Sequence, residues 1–256
     1  MAGEAEIRAL LSTTSVPDEV VDDVLRSGAT VWLMSERADV LALDVALCHP
    51  RLRSGEVRVA ARPTSAPFTW RLTVVAPDRA GLLADLAAAL ALDGLAVHRS
   101  SGTTWDGGRL ALLSLRVSDP ASRRLADADW DEIGGRLREA ARGAPGRDVP
   151  HVAPWPPVRV RTTPQPGSRT LVTVLAPDSV GLLWAVASWF TAQAANIEAA
   201  HVHTDGGDAY GTFLVSGAID PAALMTHLSG RPAAPSLVQS LANLATSPLR
   251  RLRSGS

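Results

Sequence analysis

The 256-residue chain contains no lysine, only one cysteine and one tyrosine, and no apolar run long enough to cross a membrane. The single cysteine, Cys48, rules out an internal disulfide framework and a cysteine-based zinc cluster. It lies in an apolar run, which predicts a core position. The first residues are acidic and lack the apolar segment of a signal peptide. We therefore expect a soluble, cytoplasmic protein that does not contact a membrane.

The charge balance gives no sign of a nucleic-acid partner. Twenty-five basic side chains, all of them arginine, face 26 acidic ones, so the formal net charge is −1. The protein as a whole therefore has no net electrostatic field that would attract a polyanion such as a nucleic acid. Three arginines near the end of the chain (Arg250, Arg251 and Arg253) are interpreted as a solvated terminus. The apolar fraction of 46% is enough for two small domains and an accessory segment.

Enzyme motifs are missing from the sequence. There is no P-loop, no GxGxxG after a strand, no paired aspartates of a nucleotidyltransferase and no nucleophile elbow. His201 and His203 share one face of a strand and form a candidate metal pair. No cysteine or third histidine lies near them in sequence, so we interpret them as histidines of a solvent-exposed or dimer face. We expect a protein that is not an enzyme and that needs no cofactor or metal.

One stretch of the sequence occurs twice, with small differences. Residues 73–83 read TVVAPDRAGLL and residues 173–183 read TVLAPDSVGLL, an offset of 100 residues. A period of this length is typical of a duplicated small domain rather than of a solenoid. The offset therefore predicts two related units, called here the first and the second repeat.

Each copy of the stretch predicts a strand that runs into a helix. Pro77 and Pro177 should end the strands because proline lacks the N–H that the ladder needs. Asp78 and Asp178 then stand where a helix N-cap is expected. The helices place apolar residues on one face, and these residues are Leu82, Leu83, Leu86 and Leu90 in the first copy and Leu182, Leu183, Val186 and Phe190 in the second.

Gly81 and Gly181 are predicted in the first turn of these helices, where glycine costs about 0.5–1 kcal/mol relative to alanine. Two interpretations account for them. Glycine permits close packing of helix on strand, which is the interpretation that the residues alone favour. It also lets a ligand approach the backbone, and the unpaired N–H groups and dipole of a helix N-terminus suit a carboxylate.

The remaining elements are predicted from the periodicity of apolar residues and from the Gly, Pro and polar residues that interrupt it. A strand is expected at residues 30–34, and a Gly/Pro-rich linker at 144–156 with a short strand at 151–152. The matched pairs at 57–59 and 158–160 predict a leading edge strand for each repeat, hairpin-paired with the next strand. Helices are expected at 4–12, 17–27, 36–48, 121–142, 221–228 and 237–245. Further strands are expected at 95–105, 110–117, 196–204 and 210–215.

Each repeat resembles the ACT domain in the order of its elements. A strand leads through Asp-x-x-Gly-Leu-Leu into a helix, and a second strand, a polar hairpin and a third strand follow. The closer likeness is to the C-terminal tandem ACT region of the PII uridylyltransferase family, glutamine-sensing enzymes of bacterial nitrogen control. The resemblance covers residues 55–120 and 157–217. The usual Asp-Arg-Pro-Gly of that family stands here as Asp-Arg-Ala-Gly at 78–81 and Asp-Ser-Val-Gly at 178–181, so both copies lack the proline and the second lacks the arginine.

The resemblance implies an α+β fold of two ferredoxin-like βαββαβ units with antiparallel sheets, preceded by a mostly helical segment. The expected division is a connector-like segment at 1–54, an ACT unit at 55–143, a linker at 144–156, a second ACT unit at 157–231 and a helix with a polar tail at 232–256. ACT units usually pair side by side, and the sequence leaves open whether that pairing lies within one chain or between two.

The candidate ligand site is implied by the same resemblance. Asn196 aligns with Ala96 of the first repeat, and in many ACT domains the matching asparagine faces the Asp-x-x-Gly loop. Its amide can donate and accept, although a strand-start asparagine that bonds only its local backbone is an equal alternative. The second repeat is the better candidate, and its expected site comprises Asp178, Ser179, Val180, Gly181, Leu182 and Asn196. Asp78 and Gly81 are the counterparts in the first repeat.

These observations lead to a functional expectation with two alternatives. We expect a non-catalytic regulatory protein that binds a small amino acid, with glutamine as the first candidate, and that acts on a protein partner or forms a homodimer. The first alternative is a ligand-free oligomerisation or protein-interaction module. Ala96 and the outward position predicted for Trp184 favour it, since an outward tryptophan indicates a contact surface. The second is a detached regulatory subunit of a uridylyltransferase-like enzyme.

Overall fold

A computed structural model describes residues 3–27, 30–33, 36–105, 109–119, 127–143 and 157–230 of the chain. The predicted linker at 144–156, with its short strand, and the predicted C-terminal helix at 237–245 lie outside these residues. Within the described part, no helix is long and apolar enough to cross a membrane.

Four helices open the chain. They are α1 (Glu4–Leu11), α2 (Asp18–Ser27), α3 (Thr30–Leu33) and α4 (Ala38–Leu47). The strand predicted at residues 30–34 was wrong, because Thr30–Leu33 is a short helix. Its Trp32 is completely buried among the neighbouring helices, so tertiary burial overrides the β preference of this short run. Cys48, at the end of α4, is buried as predicted.

Each repeat then contains the same sequence of elements, ββαββα. The first repeat consists of β1 (Arg58–Pro63), β2 (Thr69–Pro77), α5 (Leu82–Leu92), β3 (Ala96–Trp105), β4 (Leu110–Ser118) and α6 (Asp127–Ala141). The second repeat consists of β5 (Arg159–Gln165), β6 (Arg169–Pro177), α7 (Leu182–Ala192), β7 (Ile197–Asp205), β8 (Asp208–Ser216) and α8 (Pro221–Ser229). These bounds agree with the predicted strands and helices to within a few residues, except that α6 begins at Asp127 and residues 121–126 are outside the described part.

The eight strands of the described residues form one antiparallel sheet in the order β1-β2-β4-β3-β7-β8-β6-β5. The repeats meet where β3 pairs with β7, with Ser100 opposite Val202. The predicted fold class, α+β with antiparallel ferredoxin-like units, is confirmed. In each unit the outermost strand comes first in the chain rather than last, because β1 and β5 take the edge positions predicted for the leading strands. The side-by-side pairing left open by the sequence is made within this single chain.

The two faces of the sheet are covered differently. Helices α5 and α7 pack on one face and against each other, and their predicted apolar residues belong to the main core. Helices α1–α4 pack on the opposite face, and they cover the half of the sheet that the first repeat supplies. Val75, Trp105 and Leu112 point into this second core. Alternation along each strand sends neighbouring residues to opposite faces, so Val74 joins the main core while Val75 joins the second one.

Candidate ligand-binding clefts between the repeats

The loop before each helix is shaped by a glycine in a left-handed conformation. Gly81 (φ 78°) and Gly181 (φ 89°) occupy the N-cap positions of α5 and α7, and no side chain caps either helix. The predicted N-cap role of Asp78 and Asp178 was therefore wrong, since the helices begin four residues later. A positive φ penalises any residue with a Cβ, which explains both glycines without requiring close helix–strand packing.

The aspartates instead follow the strand ends directly. The backbone N–H of Asp78 donates to the carbonyl of Arg109 at 2.7 Å, and that of Asp178 donates to the carbonyl of Gly207 at 2.8 Å. Both acceptors lie by the hairpin that joins the last two strands of the same repeat. Each Asp-x-x-Gly loop is thereby held at the edge of its own hairpin.

Two clefts lie between the repeats, related by the 100-residue offset. They form because β3 and β7 pair only over Arg99–Ser101 and His201–His203 and separate on either side. The first cleft, with an empty volume of about 490 Å³ partly open to solvent, combines the second repeat's loop with β3 of the first repeat. The second cleft, of about 520 Å³, combines the first repeat's loop with the start of β7.

The first cleft is mainly apolar, and its one carboxylate is already engaged. Asp178, Ser179, Gly181 and Leu182 line it, facing Leu95 and Val97 of the first repeat. Asp178 Oδ2 accepts a hydrogen bond from the Thr204 hydroxyl at 2.8 Å. The same oxygen lies 3.1 Å from Nδ1 of His98, a residue of the other repeat.

The orientation of His98 follows from these contacts. A carboxylate accepts only, so Nδ1 of His98 is the donor to Asp178. Nε2 lies 2.6 Å from the Ser118 hydroxyl, which donates to it when the imidazole is neutral. His98 therefore bridges the two repeats and occupies the carboxylate that a ligand would meet in this cleft.

The second cleft is more polar. It is lined by Asp78 and Gly81 on the loop side, by Thr103 and Thr104 of β3, and by Asn196, Glu198 and Ala199 at the start of β7. Burial raises the pKa of Asp78, and a hydrogen bond from the backbone N–H of Arg79 partly offsets this rise. Glu198 takes the place that His98 holds in the first cleft, and its carboxylate lies 3.6 Å from the guanidinium of Arg169.

The predicted grouping of Asn196 with the Asp178 loop was wrong. Asn196 lies in the second cleft, opposite the Asp78 loop of the other repeat. Its backbone N–H donates to the Ser216 hydroxyl at 2.8 Å, and its carbonyl accepts from the N–H of Ser216 at 2.9 Å. Both bonds are made by its backbone, and the residue is exposed to solvent at the cleft. Val180, also predicted for the site, is half-buried in the second loop and lies outside the cleft lining.

Arg79, the arginine kept only in the first loop, bonds to protein groups. Its guanidinium donates to the carbonyls of Ala140 and Ala141 at the end of α6 and pairs with Asp85 at 2.5 Å. Helix C-termini favour cations because their last carbonyls lack intrahelical partners. The arginine therefore joins the loop to α6 of the same repeat.

Trp184 and the histidine pair occupy different surfaces. Trp184 is half-buried and lines the first cleft, so the helix face that carries it is an interface between the repeats. His201 and His203 lie on the opposite face of the sheet, with ring centroids 5.6 Å apart. Within the described residues, no group of three or more His, Cys, Asp or Glu side chains is placed to hold a metal ion.

Sequence reasoning missed His98, Glu198 and the two threonines of the second cleft. The signal that would have found the first two is the repeat offset itself, which aligns His98 with Glu198. Both are bulge residues, since the ladder register shifts at each of them. A bulge redirects the side chain at the point where the two central strands separate.

Part of the chain is similar in sequence to a known enzyme. No family model matches the chain. The bifunctional uridylyltransferase/uridylyl-removing enzyme of Streptomyces coelicolor is 34% identical over 168 aligned residues, which cover 59% of this chain and 20% of that enzyme. The predicted resemblance is confirmed. The chain spans about a fifth of the length of this relative.

Solved structures also align with parts of the chain, at low similarity. Aspartate kinase from Synechocystis aligns over 58% of this chain and 24% of its own, with 14% identity and a TM-score of 0.36. A protein from Galdieria sulphuraria, described only as unknown, aligns over 69% of this chain and 90% of its own, with 22% identity and a TM-score of 0.23. With TM-scores this low, neither alignment supports an inference about this chain.

Proposed function

We propose that this chain is a non-catalytic cytoplasmic regulatory module that binds a small amino acid in the second cleft. The observation that carries the proposal is that Asn196 lines the same cleft as Asp78 and Gly81 of the other repeat. The amide, a partly buried carboxylate and a helix N-terminus then line one space between the two repeats.

These groups complement a zwitterion. The carboxylate of Asp78 suits the ammonium group of an amino acid, whereas that of Glu198 already lies 3.6 Å from the guanidinium of Arg169. The N–H groups in the first turn of α5 suit its carboxylate, because they have no partner four residues earlier. The Asn196 amide donates and accepts, which suits a ligand with a side-chain amide such as glutamine. Binding needs no general base or nucleophile.

The first cleft is not proposed as a site. His98 and Thr204 already satisfy the carboxylate of Asp178, and a ligand ammonium would have to displace both. Ala96 stands at the position of Asn196, so the cleft lacks the amide as well. The two clefts share a backbone plan but differ in the chemistry that a ligand would meet.

A regulatory role follows from where the second cleft lies. Its walls come from different repeats, so a bound ligand contacts both and stabilises one relative position of them. A protein partner that contacts both repeats would then respond to the ligand. The likeness to a uridylyltransferase supports a related version of the proposal, in which this chain serves as a separate regulatory subunit of such an enzyme.

Isothermal titration of the full chain against the twenty amino acids tests the proposal. We expect saturable binding of one or a few amino acids, weakened about tenfold or more by Asn196→Ala and by Asp78→Asn, since each removes a polar partner of the ligand. The matched control is Asp178→Asn, the equivalent change in the first cleft, which should leave the affinity unchanged.

A different pattern would redirect the proposal. Binding lost in Asp178→Asn but kept in Asp78→Asn would move the site to the first cleft. An absence of binding to all twenty amino acids would overturn the sensor. It would favour the alternative of a ligand-free interaction module, which the occupied carboxylate of the first cleft supports.

A further inference from the structure

Two rows of side chains cross the whole eight-stranded sheet on the face opposite α5 and α7. The first row contains Arg62, Arg71, Arg116 and Arg99 in the first repeat and continues as His203, Tyr210, Leu175 and Arg159 in the second. The neighbouring row ends in His201, Thr212, Thr173 and Arg161. Directly paired residues project to the same side of a sheet, so each row is a continuous surface.

In the first repeat, acidic helices cover these rows. Asp44 of α4 binds Arg71 through two oxygens, each 2.6 Å from a guanidinium nitrogen, and also accepts from the Thr73 hydroxyl at 2.9 Å. Just before α4, Glu36 pairs with Arg116 at 2.5 Å. Helices that present carboxylates therefore cover the basic half of the sheet.

In the second repeat, the same rows are exposed. Arg159, Arg161 and Thr173 are exposed to solvent, Tyr210 is 36% exposed, and Leu175 is half-buried. We name this surface, comprising Arg159, Arg161, Thr173, Leu175, Tyr210 and Thr212, the open face. Its centre is partly apolar, and its two arginines lie on the edge strand β5. Within these rows of the second repeat there is no acidic residue, and Asp205 and Asp208 lie beyond them at the hairpin tip.

We propose that the open face binds an acidic helix of another protein, in the way that α4 covers the first half of the sheet. Charge argues against two other occupants. A second copy docked through the same face would bring Arg159 and Arg161 against their own equivalents. Residues 231–256 of this chain contain four arginines and no Asp or Glu, so they do not complement the face either.

A protein helix fits this surface better than a nucleic acid does. The exposed positive charge of the two rows is limited to two arginines on one strand, whereas phosphate backbones are usually bound by more extensive basic surfaces. Leu175 and Tyr210 lie between the arginines and the centre of the sheet, which suits the apolar side of an amphipathic helix. The two arginines are then placed to form ion pairs with carboxylates along the edge of that helix.

Photo-crosslinking from the open face tests this inference. A photoreactive residue at Thr173 of the full chain, in cells that encode the protein, leaves the arginines, histidines and Tyr210 unchanged. The crosslinked residue of the partner is then located by mass spectrometry. We expect it to lie in a helix rich in Asp or Glu of a different protein.

The double change Arg159→Gln and Arg161→Gln should lower the crosslink yield about fivefold, as expected for two charge pairs of ordinary surface strength. The matched control is Arg138→Gln with Arg142→Gln, which removes the same charge from α6 and from the residue that follows it, on the opposite face, and should not change the yield. Circular dichroism checks that both variants fold.

Each other result would overturn the inference. A crosslink to nucleic acid would make the open face a polyanion site. A crosslink to a second copy or to residues 231–256 would show that this protein covers its own face. A protein crosslink that is unaffected by the arginine changes would remove charge as the basis of recognition, and no crosslink would leave the face without a partner.

Discussion

His98 of the first repeat donates from Nδ1 to Oδ2 of Asp178 in the second repeat across 3.1 Å. This bond joins the two repeats beside their shared ladder. It also explains why two clefts with the same backbone plan differ in chemistry, because the aligned residue in the second cleft is Glu198, which cannot donate. One histidine in place of a carboxylate therefore engages the loop aspartate of the first cleft, whereas the aligned Glu198 pairs with Arg169.

The His98–Asp178 bond should contribute measurably to stability. His98→Ala is expected to lower the free energy of unfolding by about 1 kcal/mol, since it removes a hydrogen bond to a charged but partly solvated group. A double-mutant cycle with Asp178→Ala, followed by urea denaturation, isolates the pair from the bond that Thr204 makes. The expected coupling energy is about 0.5–1 kcal/mol, and strictly additive effects would mean that the contact contributes nothing.

The ion pair between Asp44 and Arg71 should be costly to break on one side only. Their side chains are 0% and 7% exposed, so Asp44→Ala leaves a buried guanidinium without its carboxylate. We expect a loss of about 3–5 kcal/mol in the free energy of unfolding. The double variant Asp44→Leu with Arg71→Met should recover much of it, because both charges are then absent. Equal losses in the single and double variants would contradict this account.

Alanine at the two cap glycines should destabilise the protein through backbone strain. Gly181→Ala is expected to cost about 1–2 kcal/mol, since its φ of 89° lies in the left-handed region. Gly81→Ala should cost more, because a Cβ there would lie 3.2 Å from Cγ2 of Thr191. The control is Gly135→Ala within α6, where a Cβ meets nothing within 4 Å and helix propensity predicts a gain of up to about 1 kcal/mol. Thermal denaturation of the three variants checks this order.

His201 should remain neutral to a lower pH than an ordinary histidine. Burial, followed by the neighbouring His203 and Arg99, lowers its pKa below 6.5. The unfolded chain therefore takes up a proton at this site before the folded chain does, so the contribution of His201 to stability is complete above pH 6.5 and is lost as the pH falls through the lowered value. An NMR titration of its ring protons measures the pKa. His201→Gln should reduce the loss of stability between pH 7 and 5, and a titration at or above 6.5 would contradict the expectation.

Local sequence determined much of this protein. The alternation of apolar residues, the strand-ending prolines and the 100-residue offset predicted the strands and most helices of both repeats, because these features depend on neighbours in the chain. The edge positions of β1 and β5 and the burial of Cys48 followed in the same way. A short apolar run such as Thr30–Leu33 could not be assigned, because its burial by other helices decides its conformation.

Only the tertiary structure decided which residues share a cleft. Asn196 and Asp178 belong to one repeat and were expected together, yet pairing of β3 with β7 places each loop against the strand of the other repeat. Contacts between residues about 100 positions apart depend on how two folded units pair, and no local pattern encodes that register. The sequence alone therefore determined the two repeats, and the packing of one against the other determined the clefts between them.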